Sequence, residues 1–337
     1  MTNPILDLTV IIPGYNTCAL LRNCLDSIYR HTEGVAFEII YVDGNSPDGS
    51  AEMVAREFPA VTLVRNTSNE SYARSVNKGL RLARGRYACL LDSDTLLIEN
   101  TFAPLVRFMD EHPQAAGCGP KLLNPDASVQ HHIRSFATLG IFFLQTLNWH
   151  RLFPQSKLMN RYYNTDFDYS QSQPVESIGT TVYVLRRSTW EAVGLLDEHF
   201  RWAMPDLAYN YTLHKRGLQL YYTPCVAVVH FGGQTASQDV LQALHEQRNG
   251  LIDFSERYHY FGQGRFIKAL VRFGVGARYW SKVLGYFLSS DKRVIKGPGA
   301  PPKQVAAQIV NSRQTANPNK KLEKTPVGSL SQPGSDA

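Results

Sequence analysis

The chain has 337 residues, of which 43% are hydrophobic, 19% charged and 11% aromatic. That is enough apolar mass for a sizeable core and excludes a mostly disordered chain, and 24 Gly with 18 Pro leave no collagen-like or low-complexity bulk. The formal net charge of +6 invites acidic partners: nucleotide phosphates, anionic lipid or nucleic acid.

In chain order, LTVIIP (8–13) reads as a strand ending at Pro-Gly, followed by a helical pattern on Leu20, Leu21, Cys24, Leu25 and Ile28. FEIIYVD (37–43) is a second strand, and the turn cluster GNSPDGS leads into a helix over 51–58. VTLV (61–64) is a third strand, 70–83 a helix and RYACLLD (86–92) a fourth strand. This alternation predicts an α/β fold with a mostly parallel central sheet flanked by helices. In such sheets ligands bind beyond the carboxyl ends of the strands, which selects the loops at 13–16, 43–49 and 92–95.

Further on, 99–112 is predicted helical and AAGCGPKLL (115–123) a strand. The pattern weakens over 134–174, which reads as an insertion. IGTTVYVLRR (178–187), LQLYYTP (218–224) and VAVVHFGG (226–233) read as strands. Two helical segments follow. In the second, 265–288, Phe266, Leu270, Phe273, Ala277, Trp280, Leu284 and Phe287 form one stripe, with Arg265, Lys268, Arg272, Arg278 and Lys282 opposite. Such a helix suits an anionic membrane surface or, equally, a packed helix with a solvated basic face; no nucleic-acid module accompanies it, so nucleic acid ranks last as a partner. The predicted organisation is an α/β domain over 1–235 (halves 1–115 and 116–235), a helical extension over 236–296 and a disordered tail over 297–337.

Five scattered cysteines (Cys18, Cys24, Cys89, Cys118, Cys225) contain no CxxC pair, so neither a disulfide framework nor a zinc cage is expected, and a reducing compartment fits. MTNPILDLTVIIP does not read as a signal peptide, and no stretch approaches about 18 uncharged apolar residues, so no transmembrane span is expected.

The strongest chemical signal is LLDSD (90–94), a buried strand ending in two carboxylates one residue apart. Like charges so close repel unless a cation sits between them, and a hard divalent metal on a diphosphate is one answer; a solvated Asp turn is the other. Asp43, ending another strand, can accept a hydrogen bond from a base N–H. Ser46, Asp48 and Ser50 are equally plausible as helix caps.

VIIPGYN, VDGNSPDGS, Asn69 to Gly79 and LLDSD, in that order, resemble family-2 glycosyltransferases with the glycosyltransferase A-type fold. GTTVYVLRRSTWEAVGLLDEHF and PDLAYNYTLHKRGLQLYYTPCVAVVHFGG resemble the acceptor half of bacterial members that build surface polysaccharides, so the likeness spans 8–235. The resemblance implies inverting transfer from a UDP-, dTDP- or GDP-linked sugar to a glycan or lipid-linked acceptor, with Mn²⁺ or Mg²⁺, on the cytoplasmic face of a membrane. It implies that Pro13 and Tyr15 line the base pocket, Asp43 binds the base, Asn77 supports the nucleotide and Asp92 faces the ribose or diphosphate. Asp94 and His230 would hold the metal, and Asp206 would be the general base.

The chain departs from the family pattern at Pro205, where an acid is usual, at Ala208, likewise, and at Ser71, where Gly is usual. Asp206 could then be only a helix N-terminal acid. Two other readings stay open: a nucleotide-sugar-binding partner that has lost catalysis, and a nucleotidyltransferase. The latter lacks a Gly-rich loop after the first strand.

Overall fold

The computed structural model describes residues 6–146, 164, 166–201, 203–232 and 239–288. The expected tail at 297–337 lies outside these, as does much of the insertion. One nine-stranded sheet carries the fold, in the order β3-β2-β1-β4-β8-β6-β9-β5, with β7 pairing β9. The strands are β1 (Leu8–Gly14), β2 (Phe37–Asp43), β3 (Thr62–Arg65), β4 (Tyr87–Leu91), β5 (Thr95–Leu97), β6 (Ala115–Leu123), β7 (Gln173–Val175), β8 (Val182–Arg186) and β9 (Gln219–His230).

The first four strands pair in parallel, as expected. The rest is mixed: β8 is antiparallel to β4 and to β6, β9 is parallel to β6, and β5 is antiparallel to β9. The strict strand-helix alternation ends after β4, and antiparallel neighbours do not require a crossover helix. The two strands expected at 218–224 and 226–233 are one strand, β9. Its register against β6 jumps between Pro120/Thr223 and Lys121/Ala227, so the break in the sequence pattern at Pro224 is a bulge rather than a loop.

The helices are α1 (Cys18–His31), α2 (Ser50–Glu57), α3 (Tyr72–Leu82), α4 (Phe102–Glu111), α5 (Leu139–Thr146), α6 (Arg187–Val193), α7 (Pro205–Lys215), α8 (Val240–Arg257) and α9 (Arg265–Leu288). Side-chain alternation along the strands splits the core in two. Val10, Ile12, Cys89 and Leu91 pack with Leu21, Leu25 and Phe102 on one face. Ile11, Ala88 and Leu90 pack with Val76, Leu80 and Leu213 on the other. Gly79 sets how closely α3 approaches β1, since a Cβ there would lie 2.4 Å from Ile11 Cγ2.

Within the expected insertion, α5 is a helix with no sequence period. The reason is burial: Phe142 is enclosed with Val271 and Val275 of α9, and Phe143 packs beside them, so LGIFFL has little polar face to show. α9 itself is buried along Val271, Gly274, Val275 and Val283. The stripe Phe266, Phe273, Trp280, Leu284 and Phe287 is exposed, each at 59% or more. Among the described residues no helix is long and apolar enough to cross a membrane.

Candidate active site

β1 and β2 end in register, Pro13 opposite Val42 and Gly14 opposite Asp43. Gly44 N–H donates to the Gly14 carbonyl at 2.8 Å and ties the two loops together. Gly14 is needed because a Cβ there would lie 2.8 Å from Tyr41 Cε2. The Tyr41 ring fills that space and donates its hydroxyl to Asp43 Oδ1 at 2.9 Å, while Ser46 N–H donates to Oδ2 at 3.0 Å. Burial, then the Asp43 charge, pushes the Tyr41 hydroxyl pKa up, so it stays a donor. Asp43 is thus a buried carboxylate in a fixed orientation at the sheet's C-terminal edge. Tyr15 lies over the same point, with its Cβ 3.4 Å from where a Gly44 Cβ would stand. Asn16 and Asn45 take left-handed backbone (φ 55° and 64°), which Asn tolerates, to turn the loops here.

The acidic segment follows β4. Thr95 donates both Oγ1–H (2.8 Å) and N–H (3.2 Å) to the Asp92 carbonyl, closing a turn over residues 92–95. The chain then enters β5, whose Thr95 faces His230 of β9, and Phe231 N–H donates to the Asp94 carbonyl at 3.0 Å. This pairing places His230 Nε2 3.3 Å from Asp94 Oδ1 and 3.9 Å from Asp92 Oδ2. Each of the three offers one ligand atom within 4.8 Å of the others. Burial and then the Asp94 charge push Asp92 up, with His230 opposing. Burial alone would lower His230, but hydrogen bonding to Asp94 and the charges of Asp94 and Asp92 outweigh it and raise its pKa.

The donor set suits a hard or borderline divalent cation. Two carboxylates and an imidazole are the ligand types that Mn²⁺ accepts. His230 Nδ1 sits 2.7 Å from Gln130 Oε1, so Nδ1 carries the proton and Nε2 faces the carboxylates in the orientation of a metal ligand.

Asp206 lies in the first turn of α7, after Met204 at φ 76° and with Pro205 as the first helical residue. It is half-buried, and its Oδ1 accepts from Leu207 N–H at 2.8 Å. Burial raises its pKa above the usual carboxylate value. It lines a pocket of about 250 Å³ with Met204, Leu207 and residues of α8 and α9. Its charge adds to the upward shift of both Asp92 and Tyr72, so the helix acid acts on the Asp92–Asp94–His230 cluster.

Asn77 is placed differently from the other candidates. Its buried amide donates to the Leu196 carbonyl (2.8 Å) and Glu198 Oε1 (2.9 Å), and its Oδ1 accepts from Leu196 N–H (3.0 Å). It thereby ties α3 to the segment preceding α7. Ser71, the residue in place of the usual Gly, caps α3 by accepting from Arg74 N–H at 3.1 Å.

Two side chains escaped the sequence reading. The Tyr72 hydroxyl is enclosed without a hydrogen bond of good geometry, in the field of Asp92 and Asp206. His132 Nδ1 is 3.0 Å from the Gln130 carbonyl, which makes Nδ1 the donor and leaves the enclosed Nε2 without a partner. Burial pushes this imidazole down to about 4, so it is neutral and Nε2 presents a lone pair. The clustering HHIR at 131–134 was the only signal for it.

Residues 9–173 match the family model described as glycosyl transferase family 2. The chain is 34% identical over 110 residues to the minor teichoic acid biosynthesis protein GgaB of Bacillus subtilis, covering 32% of this chain and 12% of that protein. It is 22% identical over 235 residues to the O-antigen biosynthesis protein RfbC of Myxococcus xanthus, covering 69% of this chain and 18% of that one. It therefore spans under a fifth of the length of either relative. Among solved structures, GalNAc-T7 with UDP, GalNAc and Mn²⁺ superimposes with a TM-score of 0.50 at 15% identity, covering 86% of this chain and 58% of that one. Taken with the sheet order and the carboxylate edge of β4, these likenesses identify residues 9–173 as a glycosyl transferase family 2 domain on a glycosyltransferase A-type fold.

Proposed function

We propose that the protein is an inverting glycosyltransferase that moves a sugar from a nucleotide sugar to a glycan or lipid-linked acceptor in bacterial cell-surface polysaccharide biosynthesis. The observation that carries this reading is the Asp92–Asp94–His230 cluster beyond β4, with Asp206 of α7 near enough for its charge to act on Asp92. The names of the GgaB and RfbC relatives support the cell-surface context. The catalytic unit would be the part of 1–235 that carries the sheet, with α8 and α9 as an extension.

In this reading Pro13, Tyr15 and Asp43 hold the base, and Asp43 selects a base N–H donor because both carboxylate oxygens accept. Asn77 keeps α3 and the 195–198 segment in place beside them. Asp92, Asp94 and His230 hold a Mn²⁺ or Mg²⁺ ion, which when bound supplies positive charge to the donor's diphosphate. Asp206 takes the proton of the attacking acceptor hydroxyl; its raised pKa makes it a better base than an exposed Asp. Inversion follows if that hydroxyl approaches the anomeric carbon opposite the diphosphate.

Pro205 and Ala208, the departures that motivate a non-catalytic reading, are buried parts of α7, and Asp206 still lines the pocket between them. The exposed aromatic stripe of α9 and the positive net charge support docking on the anionic cytoplasmic face of a membrane. The test is a panel of UDP-, dTDP- and GDP-sugars with Mn²⁺ or Mg²⁺, reading nucleotide diphosphate release. Release from one donor class supports the proposal. Metal-independent release, or none with any donor, contradicts it.

A further inference from the structure

The residues that lead into α7 are gripped from two sides. On one side α3 holds them. Tyr72 N–H donates to the Arg201 carbonyl at 2.6 Å, and Glu198 Oε1 accepts from Asn77 at 2.9 Å and from Arg81 at 3.1 Å. On the other side stands α8, whose Gly250, Asp253, Phe254 and Arg257 recur at helical spacing and form one face. That face follows the incoming chain in reverse order. Arg257 Nε donates to Asp197 Oδ2 at 2.7 Å, joined there by the Tyr258 hydroxyl at 3.1 Å. Asp253 Oδ2 is 3.3 Å from His199 Nε2, and Phe254 is enclosed with Phe200. Gly250 meets the Ala203–Met204 turn, where a Cβ would lie 3.1 Å from the Ala203 carbonyl oxygen and 3.2 Å from Met204 Cγ.

Met204 is held at an unusual backbone angle. Its φ is 76°, in the left-handed region that a non-glycine residue keeps only when its surroundings impose it. Its side chain packs against Phe200, Ala208 and Phe254, and its carbonyl accepts the Ala208 N–H at 2.9 Å, the bond that opens α7. Asp206 lies within that first turn. A shift of Ala203 and Met204 is therefore carried to the Asp206 carboxylate. Gly is a poor residue for a helix interior because it gives up the most backbone entropy there. At position 250 the close approach of the Ala203–Met204 turn accounts for it.

We propose that Gly250 is a positioning residue for the base: by letting α8 close on the Ala203–Met204 turn, it sets where α7 begins and where the Asp206 carboxylate stands. Arg257 and Tyr258 fix the far end of the same segment through Asp197. Resting on the reading of Asp206 as the base, this role makes α8 a working part of the site in addition to an extension beside it.

The test is a substitution series at position 250 in the full chain. The probe is the nucleotide sugar that the donor panel selects, with Mn²⁺ present and nucleotide diphosphate release as the rate. Gly250→Ala is expected to lower kcat about 3- to 10-fold and Gly250→Val about 100-fold, since a misplacement of about 1 Å costs about 10²-fold. Donor Kd by calorimetry is expected to stay at the wild-type value. Ala is the better helix former, so a weakened α8 does not account for a slower Gly250→Ala enzyme. If Gly250→Val fails to fold by circular dichroism, Gly250→Ala carries each comparison.

Combining the substitution with Asp206→Asn separates positioning from a general structural fault. A residue that acts through Asp206 adds no further loss to that of Asp206→Asn alone. Losses that multiply, a folded Gly250→Val at the wild-type rate, or a matching loss of donor affinity overturn the proposal. If Asp206→Asn alone keeps the wild-type rate, or wild type turns over no donor, the base reading fails and this role falls with it. If Asp206→Asn is slow while Gly250→Val is not, only the role of Gly250 fails.

Discussion

His230 Nε2 lies 3.3 Å from Asp94 Oδ1 because Thr95, the residue after that acid, pairs across the sheet with His230 itself. Two segments 136 positions apart in the chain are brought to one point by a three-residue strand, so the geometry of the cluster is built into the sheet and not into a flexible loop. Gln130 completes it by fixing the imidazole tautomer from β6's exit.

Removing that second layer should be costly without touching a ligand. Gln130→Ala is expected to weaken Mn²⁺ binding by about 10- to 100-fold, the usual penalty for losing a partner of a ligating His. Titration followed by electron paramagnetic resonance reads it. Unchanged affinity would mean that His230 is not a ligand or is oriented by something else.

Asp206 gives a pH signature with a definite sign. Its folded pKa is raised, so the ionised form is disfavoured by folding. The resulting penalty is absent below the unfolded value near 3.9, grows as pH rises through the folded pKa and is then constant. Asp206→Asn should therefore raise the melting temperature at pH 7, with the gap closing as the pH falls toward about 4. A gap of opposite sign would place the carboxylate in a stabilising ion pair. In activity, the acid limb of kcat/KM should lie above the ordinary Asp range, because the base must be ionised to act.

Asn77 separates a structural role from a nucleotide contact. Asn77→Ala breaks three hydrogen bonds between α3 and residues 196–198, two of them buried, and leaves backbone groups unpaired. A loss of at least about 1–3 kcal/mol is expected by urea unfolding. Nucleotide affinity of the folded fraction should change little. A variant with wild-type stability and lost nucleotide binding would reverse the assignment.

The first half of the sheet was legible because each strand there is a short apolar run closed by a turn and followed by a helical period. Asp43, Asp92 and Asp94 were legible as acids at strand ends, and the resemblance added His230 and Asp206. The mixed half was harder to read. β9 looked like two strands because Pro224 interrupts the pattern, and α5 looked like nothing because LGIFFL is apolar all round and has no polar face to mark a period. Tyr72 and His132 were missed for a related reason. A buried polar atom without a partner is a property of three-dimensional neighbours, and an isolated Tyr or His carries no local sign of it.

The exposed face of α9 predicts salt-sensitive binding to vesicles containing phosphatidylglycerol. Phe273→Ser with Trp280→Ser, both exposed at 65% or more, should reduce flotation without lowering the melting temperature. If wild type ignores such vesicles at low salt, the stripe has another role.

The central claim is that Asp206 is the base of a metal-assisted sugar transfer. Its most direct test compares wild type and Asp206→Asn at saturating donor and Mn²⁺, with nucleotide diphosphate release as the rate and calorimetry for donor affinity. The account predicts a fall of about 10²- to 10⁴-fold in kcat with donor Kd unchanged, because the donor's ligands sit on other loops. A variant that keeps more than about a tenth of the wild-type rate, well outside that range, would contradict it.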